Sequence, residues 1–270
     1  MKILVLLLPI MLLIGITAAS TVTLTGTCYS NIINQTNNYI TFNLTNSGNG
    51  TATNFLLAPI IEGASALNST ISIPLVAPGN IYSERIYLSN FTIPGSYVER
   101  FITRYSQGSS TFVTLFPCLV RINQNAQSII AITNITKSKN SDNLSVSISN
   151  IANYPIAAQV SVYAPPDFTV VNSTRNITLK QYTSTSASFS VSTQAQYTNS
   201  EFPIVVAASY IRGNVHYATL AETTISFGAA PGSATSALTD NLLLFGIVAF
   251  IVIIIVLIAL SVILRKGKHR

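Results

Sequence analysis

The two cysteines are the residues whose chemistry is easiest to read from this chain. Cys28 and Cys118 lie 90 residues apart, and neither has a neighbouring histidine or lysine or belongs to a Cys-x-x-Cys motif. Nothing in the sequence therefore lowers a thiol pKa to make either cysteine reactive. In an oxidising compartment they would pair, and closing a loop of this length stabilises a fold by about 4–5 kcal/mol in the chain-entropy model. The sequence predicts a structural disulfide between them.

Asparagine sequons are the second chemical feature. Asn-x-Ser/Thr is the acceptor motif for N-linked sugars on exported proteins, and this composition alone would generate about five such motifs. Asn43 alternates with Phe42 and Leu44, so we expect it to point to solvent and to carry sugar. No sequon follows residue 176. The nine candidate sites are Asn34, Asn43, Asn49, Asn68, Asn90, Asn134, Asn143, Asn172 and Asn176.

Residues for catalysis or metal binding are sparse. His216 is the one histidine before the last two residues, and a structural, solvated or edge position in the last strand is favoured over a functional one. The chain has no His-Glu-x-x-His, Gly-x-Ser-x-Gly or Asp-x-Asp-x-Asp motif. Glu99 stands in a predicted strand, which predicts a rim position or a pair with an arginine such as Arg85 or Arg104. We expect no enzyme activity, catalytic residue, metal or cofactor.

Two apolar segments bracket everything else. Residues 1–19 combine one lysine, an apolar run and a stretch of small residues at its end, and this pattern predicts a secretory signal peptide. Residues 242–264 are uncharged, and at ~1.5 Å per residue they would span about 34 Å of a ~30 Å hydrocarbon core. Basic residues follow at 265–270, so we expect this tail in the cytoplasm and the N-terminus outside. The prediction is a single-pass protein of the cell membrane, with a linker at residues 229–241.

The net charge of +6 is concentrated at the two ends. Five of the 14 Lys and Arg residues lie in the predicted signal or tail, which leaves nine against eight acidic residues. The region between is close to neutral and has no cluster of basic residues. This balance excludes nucleic-acid binding as an expected function.

Between the apolar segments, hydrophobic residues recur with a period of two. Residues 40–45 and 144–149 alternate strictly, and an internal repeat relates residues 105–115 to residues 210–220 at an offset of 105. We predict an all-β fold of two tandem immunoglobulin-like β-sandwich domains, residues 20–121 with the disulfide and residues 122–228, plus one C-terminal transmembrane helix. Further strands are predicted at residues 22–25, 55–61, 82–88, 97–105, 111–116, 159–163, 186–191, 203–210 and 215–227.

The first repeat resembles a known family. The strand at residues 40–44, the Asn46-Ser47-Gly48 turn, Pro78-Gly79 and Pro94-Gly95-Ser96-Tyr97 follow the succession of CARDB-like domains. The resemblance covers residues 22–120 and is weaker in the second repeat. It implies an immunoglobulin-like structural or adhesive module, as on archaeal and bacterial surfaces and in archaeal S-layer-related proteins, and it carries over no catalytic residues.

We interpret the chain as a glycosylated surface protein with a structural or interaction role in the cell envelope, by adhesion or S-layer-like association. The alternative is an accessory, non-catalytic subunit of a membrane complex that docks through its anchor and membrane-proximal domain. A surface hydrolase would need a pocket that holds two or more of the scattered acidic residues together with His216. Expected partners are the membrane with envelope proteins or a membrane complex. Carbohydrate binding is disfavoured because the chain has no Trp, although it has 12 Tyr and 12 Phe.

Overall fold

The computed structural model describes residues 20–67, 70–137, 142–193 and 200–227. The predicted signal peptide, the linker, the transmembrane segment, the tail and the sequon Asn68 lie outside these ranges. Within them the secondary structure is entirely β, as predicted.

No helix in the described ranges has the length and apolarity that crossing a membrane requires.

The first half of the chain forms eight strands. They are β1 (Leu24–Tyr29), β2 (Tyr39–Asn46), β3 (Ala52–Ile60), β4 (Ser65–Ala66), β5 (Ile71–Val76), β6 (Ile81–Ser89), β7 (Gly95–Gln107) and β8 (Ser110–Ile122). The second half forms eight more, namely β9 (Ile130–Lys137), β10 (Asn143–Asn150), β11 (Ile156–Tyr163), β12 (Phe168–Val171), β13 (Thr174–Leu179), β14 (Ser184–Thr193), β15 (Ser200–Arg212) and β16 (Val215–Phe227).

The internal repeat is visible in the strands themselves. The β15–β16 hairpin repeats the β7–β8 hairpin at an offset of 105 residues in every strand boundary. β10 likewise repeats β2 at an offset of 104, and both strands bury every second residue. The predicted repeat and the two alternating strands are therefore confirmed, whereas the division into separate domains after residue 121 stays a prediction.

The strands form three sheets, one of which both repeats share. The four-stranded sheets have the orders β1-β2-β6-β4 and β12-β14-β10-β9. The eight-stranded sheet has the order β13-β11-β15-β16-β7-β3-β5, with β8 paired to β7. Residues 20–193 and 202–225 belong to one compact unit, and the outer ends of β15 and β16 belong to a second.

Five strands were not predicted from the sequence, and all of them lie at the ends of sheets. These strands are β4, β5, β9, β12 and β13. An edge strand pairs on one side only, and β9, β12 and β13 bury one residue each, so their sequences show a weaker alternation. The N-terminal strand was predicted at residues 22–25, but it runs from Leu24 to Tyr29.

The core of the first repeat lies between its two layers. Phe42 of the four-stranded sheet packs on Phe101 and Phe116 of the shared sheet, with ring centroids 4.7 and 5.9 Å apart. Phe42 and Phe101 are fully buried. Alternating strands place such residues on one face, and that burial is the main source of stability for the sandwich.

The predicted disulfide between Cys28 and Cys118 is confirmed. It joins β1 of the four-stranded sheet to β8 of the shared sheet, with the two Cα atoms 5.7 Å apart, a usual separation for such a bond. Both cysteines lie in the first repeat. The bond therefore links the two sheets of the first repeat covalently at one edge.

A buried asparagine organises one end of the first repeat. The Asn46 side-chain amide donates to the carbonyl oxygens of Gly50 and Val76 at 2.7 and 3.0 Å. Its Oδ1 accepts the Gly48 N–H at 3.1 Å. Asn46 is fully buried, so these bonds satisfy groups that have no access to water.

Asn150 makes the corresponding hydrogen bonds in the second repeat, to residues of different type. Asn150 donates to the carbonyl oxygens of Tyr154 and Lys180 at 2.8 and 3.0 Å and accepts the Ala152 N–H at 2.9 Å. Each partner lies 104 residues after its counterpart in the first repeat. Ala152 replaces Gly48 here, so the turn depends on the buried amide rather than on glycine.

A nearby turn shows where the second repeat is strained. Gly79 adopts a φ of +75°, and Tyr182, which follows it by 103 residues, adopts a φ of +53°. This left-handed region costs a non-glycine residue about 1–2 kcal/mol. The Tyr182 side chain is 69% exposed, so its own packing offsets little of that cost.

We expect Tyr182→Gly to raise the free energy of unfolding by about 0.5–1 kcal/mol, since relief of strain exceeds the added chain entropy of glycine. The matched control is Gly79→Ala. A Cβ there would meet nothing within 4 Å, so this change should destabilise the protein by about 1 kcal/mol through strain alone. Chemical denaturation of both variants is the measurement. Destabilisation by Tyr182→Gly would contradict the strained conformation.

Candidate functional site at the junction of the two repeats

The two repeats meet where β16 runs beside the first residues of β7. The pairing is parallel, with His216 opposite Gly95, and the His216 N–H donates to the Pro94 carbonyl oxygen at 2.9 Å. Gly95 has a φ of +146°, and a Cβ at this position would overlap the carbonyl oxygen of His216. Only glycine permits this approach of two backbones. The Pro94-Gly95 pair is thus a contact point between the repeats.

Ser96 and His216 extend this contact through side chains. The Ala218 N–H donates to Ser96 Oγ at 2.8 Å, and His216 Nδ1 lies 2.6 Å from the Ser96 carbonyl oxygen, to which it donates. The His216 ring stacks on Tyr97 with centroids 4.2 Å apart and planes 2° apart. The edge position predicted for His216 was wrong, because β16 lies inside the shared sheet between β15 and β7, where His216 is half-buried.

The face of β7 that carries Ser96 is apolar at its next position, Val98. All five residues from Gly95 to Glu99 are buried, which is unusual for a strand that alternates elsewhere. Val98 packs in a small cluster that spans both repeats. Its other members are Ala207, Ala218, Leu119, Tyr163 and Leu220.

An ionic group borders this cluster. Arg100 pairs with Glu62 at 2.9 Å and lies over the Tyr163 ring, 3.6 Å from its centroid. The Tyr163 hydroxyl also donates to Glu62 at 3.1 Å. The Glu62 side chain is 44% exposed, and such pairs contribute little to stability. The contacts of Arg100 with Glu62 and Tyr163 therefore add little to the free energy of unfolding and mainly fix the positions of these side chains.

Glu99 is the most unusual residue of the junction. It is fully buried and accepts the N–H groups of Glu62 and Gly63 at 2.6 and 3.2 Å. Burial raises the pKa of its carboxyl to about 7, although both hydrogen bonds act in the opposite direction. The predicted rim position or pairing with Arg85 or Arg104 was wrong, because backbone amides of the adjacent loop fill that role.

The chemical capacity of this junction is structural. Glu99, Ser96 and His216 bond to neighbouring backbone groups, although the Arg100 Nε is buried without a partner. The described ranges contain no group of three or more His, Cys, Asp or Glu placed to hold a metal. The functional residues that sequence reasoning missed are Ser96, Glu62, Arg100 and Tyr163. No local motif marks them, since Tyr163 lies 101 residues from its partner Glu62.

The sequons differ in how far the fold exposes them. Asn34 is half-buried, and its Oδ1 accepts the N–H groups of Thr36 and Asn37. Asn43 lies on the outer face of β2 as predicted, yet its Oδ1 is buried without a hydrogen-bond partner. Asn43 as a whole is half-buried on this face, because β2 is flanked by β1 and β6. The exposed sequon residues are Asn49, Asn90, Asn134, Asn143, Asn172 and Asn176.

Comparison with known proteins shows only distant structural similarity. No protein-family model and no curated protein matches the chain. The YadV chaperone is 12% identical over 76% of this chain and 99% of that chain, with a TM-score of 0.30. The Escherichia coli chaperone DraB is 8% identical over 78% of this chain and 98% of that chain, with a TM-score of 0.30. Trypsin-activated alpha-2-macroglobulin from Escherichia coli is 11% identical over 76% of this chain and 18% of that chain, also at 0.30. Similarity at this level establishes neither a family nor a function.

Glu99 should make stability depend on pH. Its pKa is about 7 in the fold and near 4.5 in the unfolded chain, so between these values the folded state binds more protons. The stabilising contribution of the neutral carboxyl is therefore complete below pH 4.5 and is lost as the pH rises through 7. Glu99→Gln removes this pH-dependent part of the free energy of unfolding, whose slope is at most about 1.4 kcal/mol per pH unit.

The measurement is the free energy of unfolding of wild type and Glu99→Gln from pH 4 to 8.5. We expect the free energy of unfolding of the variant to rise relative to that of wild type as the pH increases from 5 to 8. The changed hydrogen bond lowers the variant's value by a constant amount at every pH. Parallel curves for the two proteins would show that Glu99 has the same pKa in both states.

Proposed function

We propose that this chain is a non-catalytic surface protein of the cell envelope, held by one C-terminal helix with its repeats outside. The observation that carries the proposal is the disulfide between β1 and β8. Such bonds persist in exported proteins and are rare in the cytosol. The predicted signal peptide, the uncharged segment at 242–264 and the basic tail at 265–270 agree with export and anchoring.

The form of the chain favours a structural or adhesive role. Two repeats joined through a shared sheet, with a glycine-permitted backbone contact and a buried serine, suit a stiff element that carries load or presents a surface. The resemblance to CARDB-like domains and archaeal S-layer-related proteins belongs to the same proposal. No cofactor is needed for such a role.

We also propose that the outer surface of the protein carries N-linked sugar. Six sequon asparagines are exposed, and a hydrated glycan can be accommodated where a side chain reaches water. The scarcity of charged residues, 8% of the chain, leaves solubility to hydroxyl groups, amides and sugars. We therefore expect a glycosylated outer surface.

A second candidate is an accessory subunit of a membrane complex. The observation that favours it is apolar exposure in the second repeat, where Ile151, Tyr182 and Ile211 are 66%, 69% and 63% exposed. No sequon follows Asn176, so sugars would leave part of this repeat free for protein contact. Exposed apolar residues of this size are common at interfaces.

Labelling of intact cells with a membrane-impermeant amine reagent tests the surface role. Lys180 is exposed and should be labelled in intact cells, because the repeats face outward. Lys266 and Lys268 should be labelled only after permeabilisation, and they serve as the internal control of the same residue type. Labelling of the tail but not of Lys180 in intact cells would reverse the orientation and overturn the proposal.

Co-purification from gently solubilised membranes of the same cells distinguishes the two candidate functions. Recovery with an envelope lattice or filament supports the structural role, whereas stoichiometric recovery with a multi-spanning complex supports the accessory subunit.

Glycopeptide mapping tests the sugar. We expect glycan on exposed sequons such as Asn90 and Asn176 and none on Asn43, because Asn43 is half-buried in a strand that is paired on both sides. Asn90→Gln should then lower the glycosylated mass, and Asn43→Gln, the matched control, should leave it unchanged. Glycan on Asn43 would show that the outer face of β2 is open when the transferase acts.

A further inference from the structure

A polar cleft lies beside the disulfide of the first repeat. It has a volume of about 320 Å³ and is formed where the end of β1, the start of β2 and the end of β8 converge. We call it the Arg121 cleft. The lining side chains that matter here are Tyr29, Asn31, Asn37, Tyr39, Thr41 and Arg121.

The walls of the Arg121 cleft are held by covalent and backbone bonds. The Cys28–Cys118 disulfide joins β1 to β8 next to it. The Ile33 N–H donates to the Arg121 carbonyl oxygen at 2.8 Å, and the Asn123 N–H donates to the Ile33 carbonyl oxygen at 2.8 Å. The loop before β2 is thereby fixed to the end of β8. Such a cleft is preorganised, which lowers the entropic cost of binding.

Arg121 supplies the observation that points to a ligand. Among the described residues it has no ion-pair partner, and its Nε, like that of Arg100, is buried without a hydrogen-bond partner. A buried donor left unpaired is costly, more so on a charged group. A ligand cannot reach the buried Nε, but a planar carboxylate can accept from the two terminal nitrogens of a guanidinium at once. The unsatisfied side chain therefore selects an anionic group of this shape.

Other lining groups indicate what carries the anion. Tyr29 is 63% exposed and offers a flat apolar face with a hydroxyl at its end. Tyr39 is steadied from outside the cleft by Tyr87 and by Arg85, whose guanidinium carbon lies 4.8 Å from the Tyr39 ring centroid. Amide and hydroxyl groups surround both tyrosines. Aromatic faces with amides and hydroxyls are the groups that contact a sugar ring and its hydroxyl groups.

We propose that the Arg121 cleft binds an acidic saccharide, with Arg121 receiving the carboxylate of a uronic acid residue and Tyr29 packing against its ring. This proposal deepens the surface role by naming a ligand class, and it rests on that role only for its biological setting.

Calorimetric titration of the detergent-solubilised full chain with an oligouronate tests the proposal. The protein is produced without N-glycosylation, so that no sugar on the chain itself fills the cleft. We expect saturable binding of the oligouronate and none of a neutral oligosaccharide of equal length. Arg121→Gln should weaken binding by at least about tenfold, which corresponds to the loss of one charge-assisted pair.

Three further variants keep the result unambiguous. Arg121→Lys retains the charge without the planar fork and should bind almost as weakly as Arg121→Gln. Tyr29→Ala removes an exposed side chain without disturbing the core and should also weaken binding. Arg104→Gln, an exposed arginine on β7, is the matched control and should bind as wild type does. Thermal unfolding of each variant verifies that it is folded.

Absence of saturable oligouronate binding, or equal binding by wild type and Arg121→Gln, would overturn the proposal. Equal affinity for oligoglutamate, with the same dependence on Arg121, would replace the saccharide by an acidic peptide. Surface labelling of Lys180 does not depend on the cleft, so failure of either experiment leaves the other interpretable.

Discussion

A β-strand that is covered on both faces has no side on which to place polar residues freely, and β7 is under this constraint at its first five residues. Tyr97 and Phe101 enter the core of the first repeat, whereas Ser96 and Val98 face the second. Because Gly95 has no side chain, β16 can approach β7 closely enough to pair with it. The shared sheet, and with it the connection of the repeats, depends on this contact.

The two repeats reach the same architecture by partly different chemistry. A buried asparagine closes the same turn in each, through Asn46 and Asn150. The first repeat adds a disulfide and a left-handed glycine at position 79, whereas the second places Tyr182 in the corresponding strained conformation. Buried hydrogen bonds cannot be given up without a large cost, but a turn residue can change for about 1–2 kcal/mol. This difference explains which features the repeats share.

The polar groups fall into two classes that suggest different roles. At the junction, Glu99 and Ser96 are engaged with the neighbouring loop or with the other repeat, and Arg100 pairs with Glu62 although its Nε is buried without a partner. Near the disulfide, Arg121 has a buried Nε with no partner and, among the described residues, no ion pair either. Native proteins rarely leave a buried donor unsatisfied without a functional reason. This contrast separates a group that maintains the fold from one that is available to a ligand.

The sequence alone determined the features that depend on local pattern. Alternation at residues 40–45 and 144–149, the repeat offset of 105 and the pairing of Cys28 with Cys118 all follow from residue type and spacing. Edge strands such as β9 were missed because they are buried on too little of their surface to alternate. The surroundings of Glu99, His216 and Arg121 were decided by tertiary structure alone. Their partners lie tens of residues away or more, as Glu99 does from Glu62 and His216 from Ser96, and only the assembled sheets bring those groups within hydrogen-bond distance.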